Sequence, residues 1–255
     1  MRAQPVTRDA VQHEFGYFGK IPTLGDFVHQ VLPQDFANGF HEWLQQSMAH
    51  GREALGEEFL TYYLNCPAWK FLMSAGVCGA QSVVGLTIPS VDRVGRYFNF
   101  TIATVLPPDC EPIAYALFNR SGFEKLEAVA LDILEQDLGT QEIELRVQDI
   151  APQFQPAGNA RRSVNAESGY VRVSLDEPLP LYAQAGALLN DRLARDLGAF
   201  SAWWYGLEGQ STSNLWVCRG LPTAQAYVEL LTLQQLPESG SERGTYIDRI
   251  IAGEA

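Results

Sequence analysis

Two apolar segments joined by a short charged turn constrain the fold of this chain more than any other feature. Residues 83–88 and 97–106 are rich in β-branched and aromatic side chains, which favour strands. The residues between them are too few for a crossover helix, so the two strands are expected to pair antiparallel. A third strand is predicted at residues 69–73, again with a short connection. The sequence therefore predicts an antiparallel run of strands at the centre of the fold.

The turn between residues 83–88 and 97–106 contains one acid, two arginines and a glycine: Asp92, Arg93, Arg96 and Gly95. Glycine adopts positive φ at little cost, which is typical of a tight turn. In a structural interpretation, Asp92 pairs with an arginine and holds the hairpin together. In a functional interpretation, the arginines bind an anion or a partner at the rim of the sheet, because a guanidinium grips carboxylate or phosphate with two parallel hydrogen bonds. We predict that at least one arginine contacts a buried Asp92.

The charge of the chain limits its partners. The 255 residues can bury a full core, and they carry a formal net charge of −12. Nucleic acids and anionic membranes both attract basic surfaces, so neither is an expected partner, whereas a basic protein is compatible. No segment approaches the roughly 20 apolar residues of a membrane helix, and the polar start shows no secretory signal. The sequence predicts a cytoplasmic protein without direct membrane insertion.

Known catalytic and metal-binding templates do not match the sequence. Gly19-Lys20 lacks the flanking residues of a phosphate-binding loop. His41-Glu42 lacks the second histidine of a zinc-binding HExxH helix, because Gln45 stands in its place. The four cysteines are scattered, as buried free thiols are. We therefore predict a protein that is not an enzyme and has no metal or cofactor, and we keep a cryptic hydrolase as an alternative, since a nucleophile and base can be assembled in space.

Periodicity and turn signals divide the rest of the chain. Amphipathic helices are predicted near residues 35–48 and 123–136, the acidic face of the second being solvated. Residues 151–168 are polar and contain Pro and Gly, which predicts a structureless loop. This loop separates an N-terminal region, residues 1–150, from a C-terminal region, residues 169–255, that completes the same compact body. The C-terminal region is expected to contain strands at 170–175, 202–207 and 215–218, a helix around 188–197, a last helix after Pro222 and an apolar stretch at 246–251.

Three consecutive aromatic residues, Trp203, Trp204 and Tyr205, lie in one of these strands. Alternation places Trp203 and Tyr205 on one face of the sheet and Trp204 on the other. One face can fill the core, but aromatic side chains on both faces predict some exposure, and exposed aromatic residues favour interfaces. We predict a partner surface that includes one face of this triplet. Helices on both sides of the sheet would bury both tryptophans and remove the surface.

Three motifs resemble those of a known family. Residues 19–28, GKIPTLGDFV, are similar to its opening GK(L/I)PxxGDFV motif, and residues 66–71, CPAWKF, resemble its SPxWRF segment. Residues 89–98, PSVDRVGRYF, match its PSxDRVGRxFP signature, with Asn99 where proline is usual. By these motifs the chain is identified as a member of the TagF (ImpM) family of type VI secretion accessory proteins.

The resemblance implies an α/β fold, here expected as a layered α/β/α sandwich with a mixed, largely antiparallel central sheet. It also implies a cytoplasmic, non-catalytic repressor of type VI secretion assembly that binds the forkhead-associated scaffold protein Fha. The alternative function is a small-molecule or nucleotide-sensing domain with an arginine-based anion site. The oligomeric state stays open. The candidate residues are Lys20, Asp26, Asp92, Arg93 and Arg96 for an anion or ion-pair site, and Trp203, Trp204 and Tyr205 for a partner.

Overall fold

The hairpin predicted around the charged turn lies at the centre of a seven-stranded sheet. The computed structural model of the chain describes residues 14–155, 160–165, 170–175, 180–206 and 214–233. The strands are β1 (Phe15–Gly19), β2 (Val28–Gln30), β3 (Trp69–Met73), β4 (Val83–Ile88), β5 (Phe100–Val105), β6 (Ala160–Asn165), β7 (Tyr170–Leu175), β8 (Phe200–Tyr205) and β9 (Asn214–Arg219). The central sheet has the order β2-β1-β5-β4-β3-β8-β9, and each of its pairings is antiparallel.

The predicted pairing of the three central strands is confirmed. Strand β4 pairs antiparallel with β3 on one side and with β5 on the other. Strand β5 begins at Phe100 and not at residue 97, because the turn holds Tyr97 in a single bridge with Val91 and the backbone N–H of Phe98 donates to the carbonyl of Ser90 at 3.1 Å. The charged turn therefore extends further along the chain than its composition indicates.

Helices cover both faces of this sheet. They are α1 (Gln34–Leu55), α2 (Phe59–Asn65), α3 (Pro112–Phe118), α4 (Arg120–Glu135), α5 (Thr140–Gln148), α6 (Leu181–Leu197) and α7 (Ala224–Thr232). Side chains of α1, α2 and α7 share one hydrophobic core with the sheet, and side chains of α3, α4, α5 and α6 share a second core with the opposite face. The layered α/β fold is thus confirmed, with antiparallel pairings in place of the expected mixture.

The two cores explain why β4 is buried along its whole length. All six of its residues are buried, because helices lie above and below the strand. Strand β3 divides its side chains between the layers: Trp69 and Phe71 enter the core under α1, and Leu72 enters the core under α4. Lys70, on the α4 side, is the exception to this apolar pattern and is discussed below.

The first helix is longer than predicted. The apolar pattern indicates residues 35–48, whereas α1 continues to Leu55 through the buried Gly51. A Cβ at Gly51 would lie 2.9 Å from the ring of Phe59, so the absent side chain makes room for the start of α2. Here glycine serves close packing between helices, which outweighs its low helix propensity.

The expected structureless loop at residues 151–168 is wrong for residues 160–165. Ala160–Asn165 forms β6, which pairs antiparallel with β7 in a separate two-stranded sheet. The polar sequence did not indicate this strand, because paired strands are joined by backbone hydrogen bonds, which do not require apolar side chains. The apolar stretch predicted at residues 246–251 lies outside the described residues.

Candidate functional site

The charged turn and the end of β1 lie against each other, and Gly19 permits this approach. Its φ is +127°, in the region that favours glycine. A Cβ at this position would overlap the backbone carbonyl oxygen of Asn99, just before β5. The residue that follows, Lys20, is only 5 % exposed, and its side chain extends into the turn. Gly19 thus determines where the buried ammonium of Lys20 lies.

Asp92 is the centre of this site. Its carboxylate is fully buried and accepts four hydrogen bonds. One oxygen, Oδ2, accepts from Lys20 Nζ and from Arg96 Nε, each at 2.7 Å. The other, Oδ1, accepts from the backbone N–H groups of Val94 at 3.0 Å and Arg96 at 2.8 Å. These contacts correspond to the structural interpretation of the turn, with Lys20 and Arg96 as the partners of Asp92.

The hydrogen bonds also fix the charge state of Asp92. Burial alone would raise the pKa of its carboxyl group. The hydrogen bonds from Lys20, Arg96 and the Val94 backbone outweigh burial and hold the pKa well below its usual range. Asp92 is therefore ionised at neutral pH, and its lone pairs are occupied.

The same turn fixes the loop that precedes β2. The backbone N–H of Arg93 donates to the carbonyl of Leu24 at 3.1 Å, and the guanidinium of Arg96 donates from Nη2 to the carbonyl of Gly25. Asp26 is exposed and accepts a hydrogen bond at 2.8 Å from the backbone of the next residue, Phe27. The structure thus places Asp26 beside the site but outside the ion-pair network of Asp92.

Four side chains at the surface of this site form what we call the turn patch: Phe27, Arg93, Val94 and Arg96. Phe27 is 45 % exposed and Val94 is 63 % exposed. Arg93 is exposed, and the side chain of Arg96 keeps 56 % exposure although it binds Asp92. Among the described residues, no carboxylate lies within ion-pair distance of Arg93. The turn patch therefore combines two cations with two apolar side chains.

An aromatic cluster supports the patch from below. The ring of Phe27 packs 5.0 Å from that of Phe98 and 5.4 Å from that of His41, and the last two rings stack at 4.8 Å. The ammonium of Lys20 lies 5.2 Å from the centre of the Phe27 ring, a cation–π contact. His41, considered above for metal binding, is half-buried in this cluster.

The aromatic triplet of β8 does not form an exposed patch. Trp203 and Tyr205 are 1 % and 4 % exposed and lie in the core under α1. Trp204 is half-buried on the opposite face, where its ring packs 5.1 Å from that of Phe123 in α4. The predicted exposed face is therefore not the face of Trp203 and Tyr205, and the face of Trp204 is half-buried, because helices lie on both sides of the sheet.

A second buried ion pair connects the sheet to α4. Lys70 of β3 is 2 % exposed and donates to Glu127 at 2.5 Å. The sequence pattern places Glu127 on a solvated helix face, and this expectation is wrong. The signal that could have identified the pair is Lys70 itself, a cation in a strand that is otherwise apolar, since a buried lysine requires a partner.

Glu127→Ala is expected to lower the free energy of unfolding by about 2–3 kcal/mol, because it leaves the Lys70 ammonium without its carboxylate. The side chain of Glu127 keeps 12 % exposure, so water can replace part of the interaction. Chemical denaturation measures the change. The double variant Lys70→Met/Glu127→Leu removes both charges and should recover most of the loss; a double variant as unstable as Glu127→Ala would contradict this interpretation.

A small cavity separates α1 and α7 from the sheet. Its volume is about 20 Å³, enough for one water molecule. Trp43, Trp203 and Tyr227 contribute to its walls, as does Asn99, whose side-chain oxygen is buried without a hydrogen-bond partner among the described residues. The cavity suits a bridging water and is too small for a substrate.

The described part of the chain contains no group of three or more His, Cys, Asp or Glu side chains that could hold a metal ion. In the same residues, no helix is both long and apolar enough to cross a membrane.

The protein has a layered α/β fold, and its charged turn is held in place by hydrogen bonds to the buried carboxylate of Asp92. The model of the TagF N-terminal domain, described as type VI secretion system-associated, matches residues 16–150, more than half of the chain. The chain therefore belongs to the TagF family and is a type VI secretion system-associated protein.

The chain is also similar to a solved structure, the crystal structure of PA0076 from Pseudomonas aeruginosa PAO1 at 2.05 Å resolution. The two are 27 % identical and superpose with a TM-score of 0.70, covering 89 % of this chain and 99 % of the other. No curated protein matches the chain. The similarity to PA0076 extends the shared fold beyond residue 150, through most of the C-terminal region.

Proposed function

We propose that this chain is a cytoplasmic, non-catalytic regulator that represses assembly of the type VI secretion apparatus by binding the forkhead-associated scaffold protein Fha. The observation that carries the proposal is the TagF domain over residues 16–150. Membership of this family connects the chain to type VI secretion, and the resemblance described above implies the scaffold as its partner.

The chemistry of the signature residues supports a role without catalysis. A general base needs a free lone pair within reach of a substrate. Asp92 accepts four hydrogen bonds and is buried, so it serves the fold and has no lone pair to offer. The most distinctive acid of the family signature is thus explained by structure alone.

The alternative of an anion-sensing site receives less support. An anion clamp made of Lys20, Arg93 and Arg96 needs all three cations to be available. Lys20 and Arg96 are both bound to Asp92, which already supplies a negative charge. Of the three, Arg93 is the one with no carboxylate partner among the described residues, and a single unpaired guanidinium is a weak site for a small anion in water.

A pull-down from purified components tests the proposal. The full chain carries an affinity tag, the scaffold Fha of the same bacterium is the prey, and an unrelated protein of similar net charge is the control bait. We expect the scaffold to be retained by the tagged chain and not by the control. A scaffold that elutes equally from both baits would contradict the proposed function.

A further inference from the structure

We infer that the turn patch, made of Phe27, Arg93, Val94 and Arg96, is the surface by which this chain docks on an acidic segment of its protein partner. The inference rests on the proposed function, because it names the surface through which the scaffold is bound. Three properties of the described residues support it: composition, charge and rigidity.

The composition of the patch is that of an interaction surface. Phe27 and Val94 expose 45 % and 63 % of their surface, although each has an apolar side chain. Arg93 and Arg96 are exposed beside them. The atoms are close: a Cβ at Gly25 would lie 3.9 Å from both the guanidinium of Arg93 and a methyl group of Val94. Aromatic residues and arginine are enriched in protein interfaces, and arginine is also enriched among their hot spots.

The charge of the patch is opposite to that of the whole chain. Lys20, Arg93 and Arg96 carry three positive charges and Asp92 carries one negative charge, so this network has a net charge of +2. The exposed Asp26 beside it reduces the sum to +1. The complete chain has a formal net charge of −12. A basic surface attracts an acidic segment, and the negative charge of the remaining chain disfavours binding of that segment elsewhere.

Hydrogen bonds fix the backbone that carries the patch before any partner binds. Hydrogen bonds from Arg93 and Arg96 to the carbonyls of Leu24 and Gly25 join the turn to the loop that contains Phe27. The backbone N–H of Val94 is fixed by Asp92. A pre-organised surface loses less entropy on binding, which increases the affinity available from a few contacts.

Arg93→Glu is the most informative variant. The side chain of Arg93 is exposed and has no carboxylate partner among the described residues, so its charge reversal leaves the Asp92 network intact. Phe27→Ala is the second variant and removes the apolar anchor. Lys125→Glu is the matched control: it makes the same charge change at an exposed position on α4, in the layer that packs on the opposite face of the sheet.

The affinity of each full-length variant for the purified scaffold Fha is measured by biolayer interferometry, together with its melting temperature. We expect Arg93→Glu and Phe27→Ala each to weaken binding at least about tenfold without loss of folding, and Lys125→Glu to bind as the wild type does. Raising the salt concentration should weaken wild-type binding and have less effect on Arg93→Glu.

If Phe27→Ala fails to fold, Val94→Ser removes exposed apolar surface at a position whose backbone contacts do not depend on its side chain.

The outcomes separate this inference from the proposed function. If the wild type binds the scaffold and Arg93→Glu binds equally well, the turn patch is not the docking surface, while the proposed function stands. If the wild type does not bind the scaffold, both fail. If the wild type binds vesicles of equimolar phosphatidylglycerol and phosphatidylcholine and Arg93→Glu does not, the patch recognises lipid, and the inference of a protein partner is overturned.

Discussion

Replacing Asp92 with alanine is expected to lower the free energy of unfolding by about 4 kcal/mol, the largest effect of any single charge in the described structure. The substitution leaves the buried ammonium of Lys20 without its carboxylate and also frees the backbone N–H groups of Val94 and Arg96. Removing one member of a buried pair typically costs about 3–5 kcal/mol. In a thermal melt the loss should appear as a drop of roughly 10 °C.

Asp26→Ala is the matched control for this experiment. Asp26 is an exposed acid beside the same site, and its side chain accepts a hydrogen bond from the backbone N–H of the next residue. Its loss should change the free energy of unfolding by less than about 0.5 kcal/mol. Equal effects of the two variants would show that burial and hydrogen bonding do not distinguish Asp92 from a surface acid.

The pH dependence of stability gives an independent test of the Asp92 network. The pKa of the Asp92 carboxyl group is lower in the folded than in the unfolded chain. As pH falls, this carboxyl group is therefore protonated first in the unfolded chain, which favours unfolding. The stabilisation is complete above the unfolded pKa of about 3.9 and is lost progressively below it. The difference in stability between wild type and Asp92→Ala should therefore be constant near neutral pH and should shrink as pH falls below about 4.

Gly19→Ala is the second substitution with a large expected effect, about 4 kcal/mol or more. The positive φ of +127° costs an alanine roughly 1–3 kcal/mol. In addition, its Cβ overlaps the carbonyl oxygen of Asn99, and overpacking of this kind costs roughly 1–3 kcal/mol. The oxygen belongs to the backbone, so relief requires β1 and β5 to separate. Urea denaturation of the purified variant measures the total loss in the free energy of unfolding.

Gly95→Ala separates the two contributions. Gly95 lies in the charged turn with a φ of +82°, and a Cβ there meets no atom within 4 Å. Its substitution should show the conformational cost alone, about 1 kcal/mol. A Gly95 variant as unstable as the Gly19 variant would mean that close approach to Asn99 does not matter.

Local patterns were sufficient to predict the centre of the fold. The short connection between residues 83–88 and 97–106 permits only antiparallel pairing, and the structure has this pairing between β4 and β5. The charge pattern of the turn was likewise enough to expect an arginine contact with a buried Asp92. It could not choose between Arg93 and Arg96, because that choice depends on the path of the turn in space, in which Arg96 Nε reaches Asp92 Oδ2 at 2.7 Å.

Properties that depend on contacts between segments distant in the sequence could not be predicted from local patterns. The burial of Trp203 and Tyr205 follows from helices on both faces, and no local pattern in β8 reveals how many layers cover it. Glu127 has the sequence signature of a solvated helix face, and only the approach of Lys70 turns it inward. The exposed patch around Arg93 and Phe27 arises in the same way, from two segments that are distant in sequence.

Secretion in a deletion strain tests the proposed repression most directly. The gene is deleted in the host bacterium, and the type VI substrates in the medium are compared with those of the parent strain and of a strain that overproduces the chain, with the cellular levels of the apparatus proteins measured in parallel. Repression after translation predicts more secretion in the deletion strain, less on overproduction, and unchanged levels of the apparatus proteins. Secretion that falls in the deletion strain, or that changes only as the apparatus proteins change, would contradict it.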